Sequence, residues 1–338
     1  METKELTTYC QLSFLEDFFR IRPIQTDEII RSEKEKIWDY YAEFIFRNDN
    51  LNIDADITQI EKDKDNYYAK FIYKKYASKV NSLKKFDSEQ LNFEIITKNE
   101  SPIFFSHDIV CDFEKYGIMC VKTTNIFNNP LKEKFETHIT PNKPPFTDWK
   151  LHPWENLKKF KHPFNFLIIV DNHILDNEDL MEENLFKILD YWLPSSATDF
   201  NLYILTDGFN ITKNNTNTPK YTAELRYDKI NERIKEIRKS FRINLKIIFN
   251  ANTKRYPNLK NHGRNIITNY FKMHNDHTFS MFDKNKKCNI NSEFYIKSIL
   301  DEFIRESIST LKKQYNEIEK NAKNIGSEIN VLPKESES

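Results

Sequence analysis

The chain has 338 residues, of which 39% are hydrophobic and 30% charged, and its 51 basic side chains balance 51 acidic ones. This length is enough for two domains of common size, and the neutral balance excludes a global cationic field that would draw the protein onto nucleic acid or membranes. Four cysteines without a Cys-x-x-Cys pair argue against a structural zinc site or a disulfide framework, and four glycines are too few for a glycine-rich phosphate loop.

The amino-terminal residues show no targeting pattern. The stretch METKELTTYCQLSFLEDFF lacks a basic segment followed by an apolar core. The longest apolar run, FLIIV at residues 166–170, is far too short to cross a bilayer. We therefore expect a cytoplasmic protein.

The first 127 residues carry the patterns of both helices and strands. Residues 34–46, KEKIWDYYAEFIF, place apolar side chains at helical spacing, whereas residues 66–76 and 91–99 alternate like strands. PIFFSHDIVCDF (102–113) and GIMCVKTT (117–124) add two more predicted strands. We expect residues 1–127 to form an α+β domain of unknown role.

A proline-rich segment follows, at residues 128–163. It contains six prolines, which interrupt regular hydrogen-bonding ladders. We interpret it as a linker whose Trp149 and Trp154 pack onto a domain.

The sequence pattern of residues 164–321 predicts an α/β domain with a mostly parallel sheet flanked by helices. Near-continuous apolar runs at 164–171, 200–207 and 243–249 are typical of buried parallel strands. Thr218 and Pro219 predict the start of a long helix between the second and third strands. Two more strands, one of them TFSMFD at 278–283, and an amphipathic helix at 294–318 complete the domain, and we expect residues 322–338 to be disordered.

Three polar residues follow the predicted parallel strands and mark the edge where ligands gather in such sheets. They are Asp171, Asp207 and Asn250. By contrast, the neighbours His107 and Asp108 would point to opposite faces of one strand, so we interpret them as structural.

The stretch NHGRNIITNYF, residues 261–271, carries the most specific pattern in the chain. His262, Arg264 and Asn269 have the spacing of the His-x-Lys-x4-Asp motif, and the stretch resembles that of the phospholipase D superfamily. It is also similar to degenerate members in which Arg replaces Lys. The same residues also fit an ordinary buried strand.

The resemblance implies a role for each motif residue. His262 would be the nucleophile that forms a phosphohistidine, Arg264 the clamp on the phosphate oxygens, and Asn269 the orienting group. An amide in place of the family's carboxylate loses a stabilising charge, which is expected to slow turnover. Because active members use two histidines and the chain has one such motif, a working site implies a homodimer.

A local run of basic residues leads into the motif. Between Arg226 and Arg264 there are 12 basic and three acidic residues, a balance that fits either a phosphate-backbone binder or the solvated face of a helix. We name as candidate substrate-binding residues Lys254, Arg255, Lys260 and Tyr270.

Three functions follow from these residues. The first is a metal-independent phosphodiesterase or nuclease, a hydrolase without a cofactor, and the resemblance places it in bacterial antiviral (antiphage) defence. The second is a catalytically inactive module that binds nucleic acid, a phosphate-bearing ligand or a partner protein. The third is a metal-dependent nuclease that uses Asp171 and Asp207, each at the end of a buried strand.

Overall fold

The computed structural model of the chain describes sixteen stretches of residues, to which the structural statements below refer: 6–23, 32–47, 51–56, 83–99, 101–109, 111–133, 137–139, 153–176, 178–194, 199–207, 219–238, 243–250, 264–288, 293–321, 323–326 and 329–332. The chain divides into two units, one of residues 4–134 and one of residues 135–338 with residues 1–3. We call them the N-terminal and C-terminal units.

The N-terminal unit is built on a five-stranded sheet in which every pair of neighbouring strands is parallel. In chain order the strands are β1 (Leu6–Cys10), β2 (Leu51–Ile53), β3 (Leu83–Lys85), β4 (Ser101–Phe105) and β5 (Met119–Val121). Their order across the sheet is β3-β2-β1-β4-β5. Parallel neighbours need crossover connections, so this unit is α/β, which corrects the α+β prediction.

Three α-helices are described in the N-terminal unit: α1 (Leu12–Arg20), α2 (Glu33–Arg47) and α3 (Phe93–Asn99). Helix α2 confirms the helix expected at 34–46. Helix α3 replaces the strand expected at 91–99, because Asn92 Oδ1 accepts the Ile95 N–H and so caps the amino end of the helix. The strand expected at 66–76 lies outside the described residues.

Aromatic side chains cover both faces of this sheet. Phe104 and Phe105 are consecutive on β4 and so point to opposite faces. The Phe104 ring stacks on Tyr9 with centroids 4.6 Å apart, whereas Phe105 packs against Phe14 at 5.3 Å and Tyr41 at 6.0 Å. Both phenylalanines are fully buried, as expected for a sheet between two layers.

The C-terminal unit is built on a nine-stranded mixed sheet. Its strands are β6 (Thr137–Ile139), β7 (Phe166–Val170), β8 (Phe200–Asp207), β9 (Ile243–Asn250), β10 (Arg264–Ile267), β11 (Phe271–Asn275), β12 (Phe294–Ser298), β13 (Lys323–Gly326) and β14 (Ile329–Leu332). Their order is β13-β14-β9-β8-β7-β10-β11-β12-β6. Strands β14, β9, β8 and β7 are parallel to one another, and the remaining pairings are antiparallel.

Helices flank the sheet of the C-terminal unit. Helix α4 comprises Glu178–Leu180, the π-type stretch Met181–Phe186 and Lys187–Trp192, and is followed by α5 (Pro219–Arg238) and α6 (Glu302–Asn321). Helix α5 begins at Pro219, as predicted. In the part of the chain that the structure describes, none of the helices has the length and apolar character needed to cross a bilayer.

The antiparallel half of this sheet differs from the sequence-based expectation. Residues 278–283 are not a strand, and β11 is the hairpin partner of β10. The helix expected at 294–318 begins only at Glu302. The preceding β12 alternates buried and partly exposed side chains and pairs with β11, so period-two burial prevails over helical spacing there.

Two segments expected to be irregular contain regular structure. In the proposed linker, Thr137–Ile139 forms β6 and Pro153–Phe160 forms a 3-10 helix, where Trp154 is fully buried as expected; Trp149 lies outside the described residues. The expected disordered tail contains β13 and β14. Strand β14 extends the sheet by pairing in parallel with β9.

Candidate functional site

The candidate site lies where the strand order of the C-terminal sheet reverses. Strands β7, β8 and β9 follow one another across the sheet, and the chain then returns to the other side of β7 as antiparallel β10. Residue Asn265 of β10 pairs with Val170, so Arg264 begins its strand beside the carboxyl end of β7. Ligands of open α/β sheets bind at such edges.

Asp171 organises this edge. Its side chain is fully buried, and Oδ1 accepts the backbone N–H of His173 at 2.8 Å. The Thr278 hydroxyl donates to the carboxylate at 2.9 Å, and the Phe279 N–H donates to Oδ2. Burial raises the pKa of Asp171, an effect that these hydrogen bonds and the charge of Arg264 oppose.

Arg264 lies against the same carboxylate. Its Nε is 4.0 Å from Asp171 Oδ1, and its side chain is only 8% exposed. The planar N–H donors of a guanidinium match the oxygens of a phosphate or a carboxylate. Arg264 and Asp171 therefore lie at one edge of the sheet.

His173 adds an accessible imidazole two residues after Asp171. Its Nδ1 is 2.8 Å from Asp176 Oδ2, and its side chain is 53% exposed. Because a carboxylate only accepts, Nδ1 carries the proton in this pair. The hydrogen bond to Asp176 raises the pKa of His173, whereas burial and the charge of Arg264 act in the opposite direction.

The loop that carries His173 and Asp176 is fixed by hydrogen bonds on several sides. The Asp176 N–H and the Ser280 hydroxyl both donate to the His173 carbonyl at 3.1 Å. Arg226 of α5 donates to the Asp176 carbonyl at 2.9 Å. Strand β7, helix α5 and residues 278–280 thus jointly set the position of the imidazole and its carboxylate partner.

Asn269 does not lie at this edge. Its Oδ1 accepts the N–H groups of Asn165 and Phe166, which begin β7, and its Nδ2 donates to Asn165 Oδ1 at 3.0 Å. Asn269 therefore joins the amino end of β7, and the structure does not bring it together with Arg264. An orienting role beside Arg264 has no support in this geometry.

Tyr270 is part of the core. Its side chain is fully buried, and its ring lies edge-on to His162 with centroids 5.9 Å apart. Stacking with a base of a bound nucleic acid would require an accessible ring face, which this position does not offer. The other candidate site residues, His262, Lys254, Arg255 and Lys260, lie outside the described residues.

Several basic residues of the run before the motif are engaged within the C-terminal unit. Lys229 pairs with Glu178, Arg233 with Asp190, and Lys246 with Glu319. In the described part of this run, the carboxylates of other elements therefore offset much of the positive charge that the sequence alone displays.

No group of three or more His, Cys, Asp and Glu side chains that could hold a metal ion occurs among the described residues. Asp171 uses its carboxylate oxygens for protein donors, as described above, and the side chain of Asp207 is not among those described. The described geometry thus offers no support for a metal-dependent nuclease based on this pair.

The N-terminal unit has its own polar cluster, where its strand order reverses between β1 and β4. Gln11 Oε1 accepts from the Ser106 hydroxyl at 2.9 Å and from the backbone N–H groups of His107 and Asp108, while Nε2 donates to Asp108 Oδ1. Asp54 Oδ1 accepts the Leu12 N–H. These bonds link residues that follow β1, β2 and β4. His107 and Asp108 come after β4, which ends at Phe105, so they do not lie on the strand expected for them.

Sequence reasoning considered Asp176 only as a neighbour of Asp171 in a possible metal site, noted His173 only as following Asp171, and did not name Thr278. A weak signal was present, because the pattern Asp-x-His-x-x-Asp follows a buried strand directly. Thr278, which lies 107 residues from Asp171, gave no comparable signal. Comparison with known proteins adds no assignment, since no family model, curated protein or solved structure matches this chain.

Proposed function

We propose that the C-terminal unit binds a phosphate-bearing ligand at the carboxyl edge of β7. The observation that carries this proposal is the shared use of Asp171 Oδ1, which lies 4.0 Å from the Arg264 guanidinium and accepts the backbone N–H of His173. A permanent cation and the backbone of a residue with a protonatable imidazole therefore both lie against one buried carboxylate. Arginine and histidine are common partners of phosphate oxygens.

A short ligand such as a nucleotide fits this site better than a long nucleic acid does. The affinity of long nucleic acids depends on many unpaired cations along a surface. In the described part of the basic run, Lys229, Arg233 and Lys246 are instead paired with carboxylates of the same unit. The neutral overall charge agrees with this preference.

The proposal is tested by titrating inorganic phosphate and adenosine monophosphate (AMP) into the full chain by calorimetry. The informative variant is Arg264→Lys, which keeps a charge beside Asp171 but loses the planar fork of donors. We expect its affinity to fall about tenfold, as for one weakened charge-assisted hydrogen bond.

Arg233→Lys provides a matched control. Arg233 also pairs with a carboxylate, with Nη2 2.6 Å from Asp190 Oδ2, but it belongs to helix α5. Equal loss of affinity in the two variants, or no binding to the wild type, would refute the proposal. Binding that only Arg264→Lys weakens would support it.

Metal-independent cleavage of phosphodiesters is a second proposal, supported by the position of Arg264 at the ligand-binding edge. His262 would act as the nucleophile, in a homodimer. The test is the cleavage of labelled single-stranded and double-stranded DNA and RNA, with excess EDTA and with magnesium, by the wild type and His262→Ala. Cleavage that persists in EDTA and disappears in the variant supports this second proposal. Cleavage that needs magnesium and survives the substitution supports a metal nuclease instead.

A further inference from the structure

We propose that His173 and Arg264 form a two-cation clamp that selects a terminal phosphate monoester over an internal phosphodiester. This inference rests on the proposed function and specifies its ligand class. A monoester carries a charge between about −1.5 and −2 at neutral pH, whereas a diester carries a single charge. Two cations at one edge match the monoester.

The geometry makes His173 the second cation. Its Nδ1 donates to Asp176 Oδ2 at 2.8 Å, which leaves Nε2 on the far side of the ring, and among the described residues Nε2 has no hydrogen-bond partner. The half-exposed side chain makes Nε2 accessible to a ligand. When Nε2 is protonated, it adds a donor and a positive charge beside those of Arg264.

The groups that surround His173 determine its protonation. Asp176 and Asp171 on its own loop favour the charged imidazole, whereas Arg264 of β10 disfavours it. The Ser280 hydroxyl, from the segment after β11, contacts only the backbone carbonyl of His173. Bonding to Asp176 is the largest effect and raises the pKa of His173, so more of the imidazole is charged at a given pH than in an unperturbed histidine.

The selectivity is tested with AMP and 3′,5′-cyclic AMP, which differ chiefly in whether the phosphate is a monoester or a diester. We expect the full-length wild type to bind AMP about tenfold more tightly at pH 7, and His173→Gln to lose most of this preference. His107→Gln is the matched control. His107 is also a half-exposed histidine bonded to an aspartate, with Nδ1 2.7 Å from Asp17 Oδ2, but it belongs to the N-terminal unit.

The contribution of the His173 charge is measured separately with sulfate, because AMP itself titrates near pH 6. Sulfate keeps two charges throughout the range from pH 6 to pH 8.5, so any change in its affinity reports the protein. We expect its binding to weaken as the pH rises through the raised pKa of His173. In His173→Gln this pH dependence should be lost, while weaker binding by Arg264 remains.

The possible outcomes separate the inference from the proposed function. If AMP and cyclic AMP bind equally, or if His173→Gln keeps the sulfate pH profile of the wild type, the clamp is refuted while phosphate binding stands. If neither phosphate, sulfate nor AMP binds the wild type, the proposed function fails and the clamp with it. A profile altered by His107→Gln to the same extent as by His173→Gln would also count against the clamp.

Discussion

Arg264 and Asn269, which are five residues apart in the sequence, lie at opposite ends of β7. Arg264 Nε is 4.0 Å from the carboxylate of Asp171, just after the strand, whereas Asn269 Oδ1 accepts the N–H groups of Asn165 and Phe166 at its start. A five-residue strand separates these positions by roughly 16 Å. The two side chains therefore cannot act on one phosphate group within a single chain.

Replacing Asn269 with aspartate tests the motif directly, because Asn269→Asp restores the carboxylate of the phospholipase D pattern. The structure leads us to expect no gain of phosphodiester cleavage. The new carboxylate would instead face Asn165 Oδ1, to which Nδ2 now donates at 3.0 Å. We expect the free energy of unfolding to fall by about 1–3 kcal/mol, measured by urea denaturation.

Asn244→Asp is the control for this prediction. The Asn244 amide also donates to the side-chain oxygen of another asparagine, Asn201, at 2.9 Å, but on the exposed surface. Its substitution should change stability by less than about 0.5 kcal/mol. Cleavage gained by Asn269→Asp without loss of stability would favour the motif over the structural role.

The motif spacing could not reveal this arrangement, since it describes distances along the chain and not where the strand ends. Strand β10 ends at Ile267, and Thr268 and Asn269 belong to the turn that leads into β11. Continuous apolar runs predicted β7, β8 and β9, and Asp171 was named because it follows one of them. Its contact with Arg264 depends on the antiparallel register of β10, which no local pattern specifies.

Local patterns failed most where two periodicities were compatible with the same residues. Residues 294–298 fit the apolar stripe of the following helix, but their pairing with β11 makes them a strand. Residues 91–99 alternate like a strand, yet Asn92 caps a helix there. The ring centroids of Phe93 and Phe104 lie 5.5 Å apart. In both cases tertiary contacts decide between two acceptable local structures.

Stability at acidic pH should depend on His162, which is fully buried. Burial lowers its pKa from 6.5 to about 3, an effect only partly opposed by its bond to the Phe160 carbonyl. That carbonyl accepts the Nδ1 proton, so the Thr268 hydroxyl must donate to Nε2 at 2.9 Å. The folded chain therefore keeps His162 neutral in a range where the unfolded chain protonates it.

The sign of the pH effect follows from this difference. The stability that neutral His162 provides is complete above pH 6.5 and is lost as the pH falls toward 3, by about 1.4 kcal/mol per pH unit. We expect the free energy of unfolding of the wild type to fall by this amount per pH unit relative to that of His162→Asn, whose side chain cannot titrate. Urea denaturation at pH 6, 5 and 4 measures the difference. Parallel pH profiles of the two proteins would show that the imidazole is protonated in the folded state.

In the N-terminal unit, Gln11→Glu should be destabilising at neutral pH and less so in acid. Gln11 is buried beside Asp54 and Asp108, and its Nε2 donates a hydrogen bond to Asp108 Oδ1. Burial already raises the pKa of Asp54. A third carboxylate there would have a raised pKa in the folded state. The destabilisation that it causes therefore grows as the pH rises from its pKa in the unfolded chain to its pKa in the folded chain.

Hydrogen exchange by residues 101–109 is the measurement for Gln11→Glu, because it reports the N-terminal unit separately from the rest of the chain. We expect faster exchange at pH 7 than in the wild type and a smaller difference at pH 5, once exchange rates are corrected for pH. Gln90→Glu, on the exposed surface of the same unit, is the control. A difference that grows in acid would contradict the proposed repulsion between carboxylates.

Asn184 should affect the ligand site although it belongs to the π-type stretch of α4. Its Oδ1 accepts the Trp154 indole N–H at 3.1 Å and the N–H groups of Met281 and Phe282 at 3.0 Å. The same segment supplies Thr278 and Phe279, which bind Asp171. Asn184→Ala leaves these buried donors without their acceptor, at a cost of about 3 kcal/mol or more in unfolding free energy.

The expected consequence for Asn184→Ala is weaker phosphate binding together with faster hydrogen exchange in residues 278–282. Without the hydrogen bonds with Asn184, residues 278–282 would be held less firmly, and this segment donates hydrogen bonds to Asp171. Arg264 and the backbone of His173 lie against Asp171, so their positions should change with it. The exposed Asn285, whose backbone N–H donates to Asp283, provides the control Asn285→Ala, with unchanged affinity and exchange. Phosphate affinity that stays at the wild-type level despite faster exchange in residues 278–282 would show that the site tolerates movement of this segment, and the link from Asn184 to Asp171 would then be excluded.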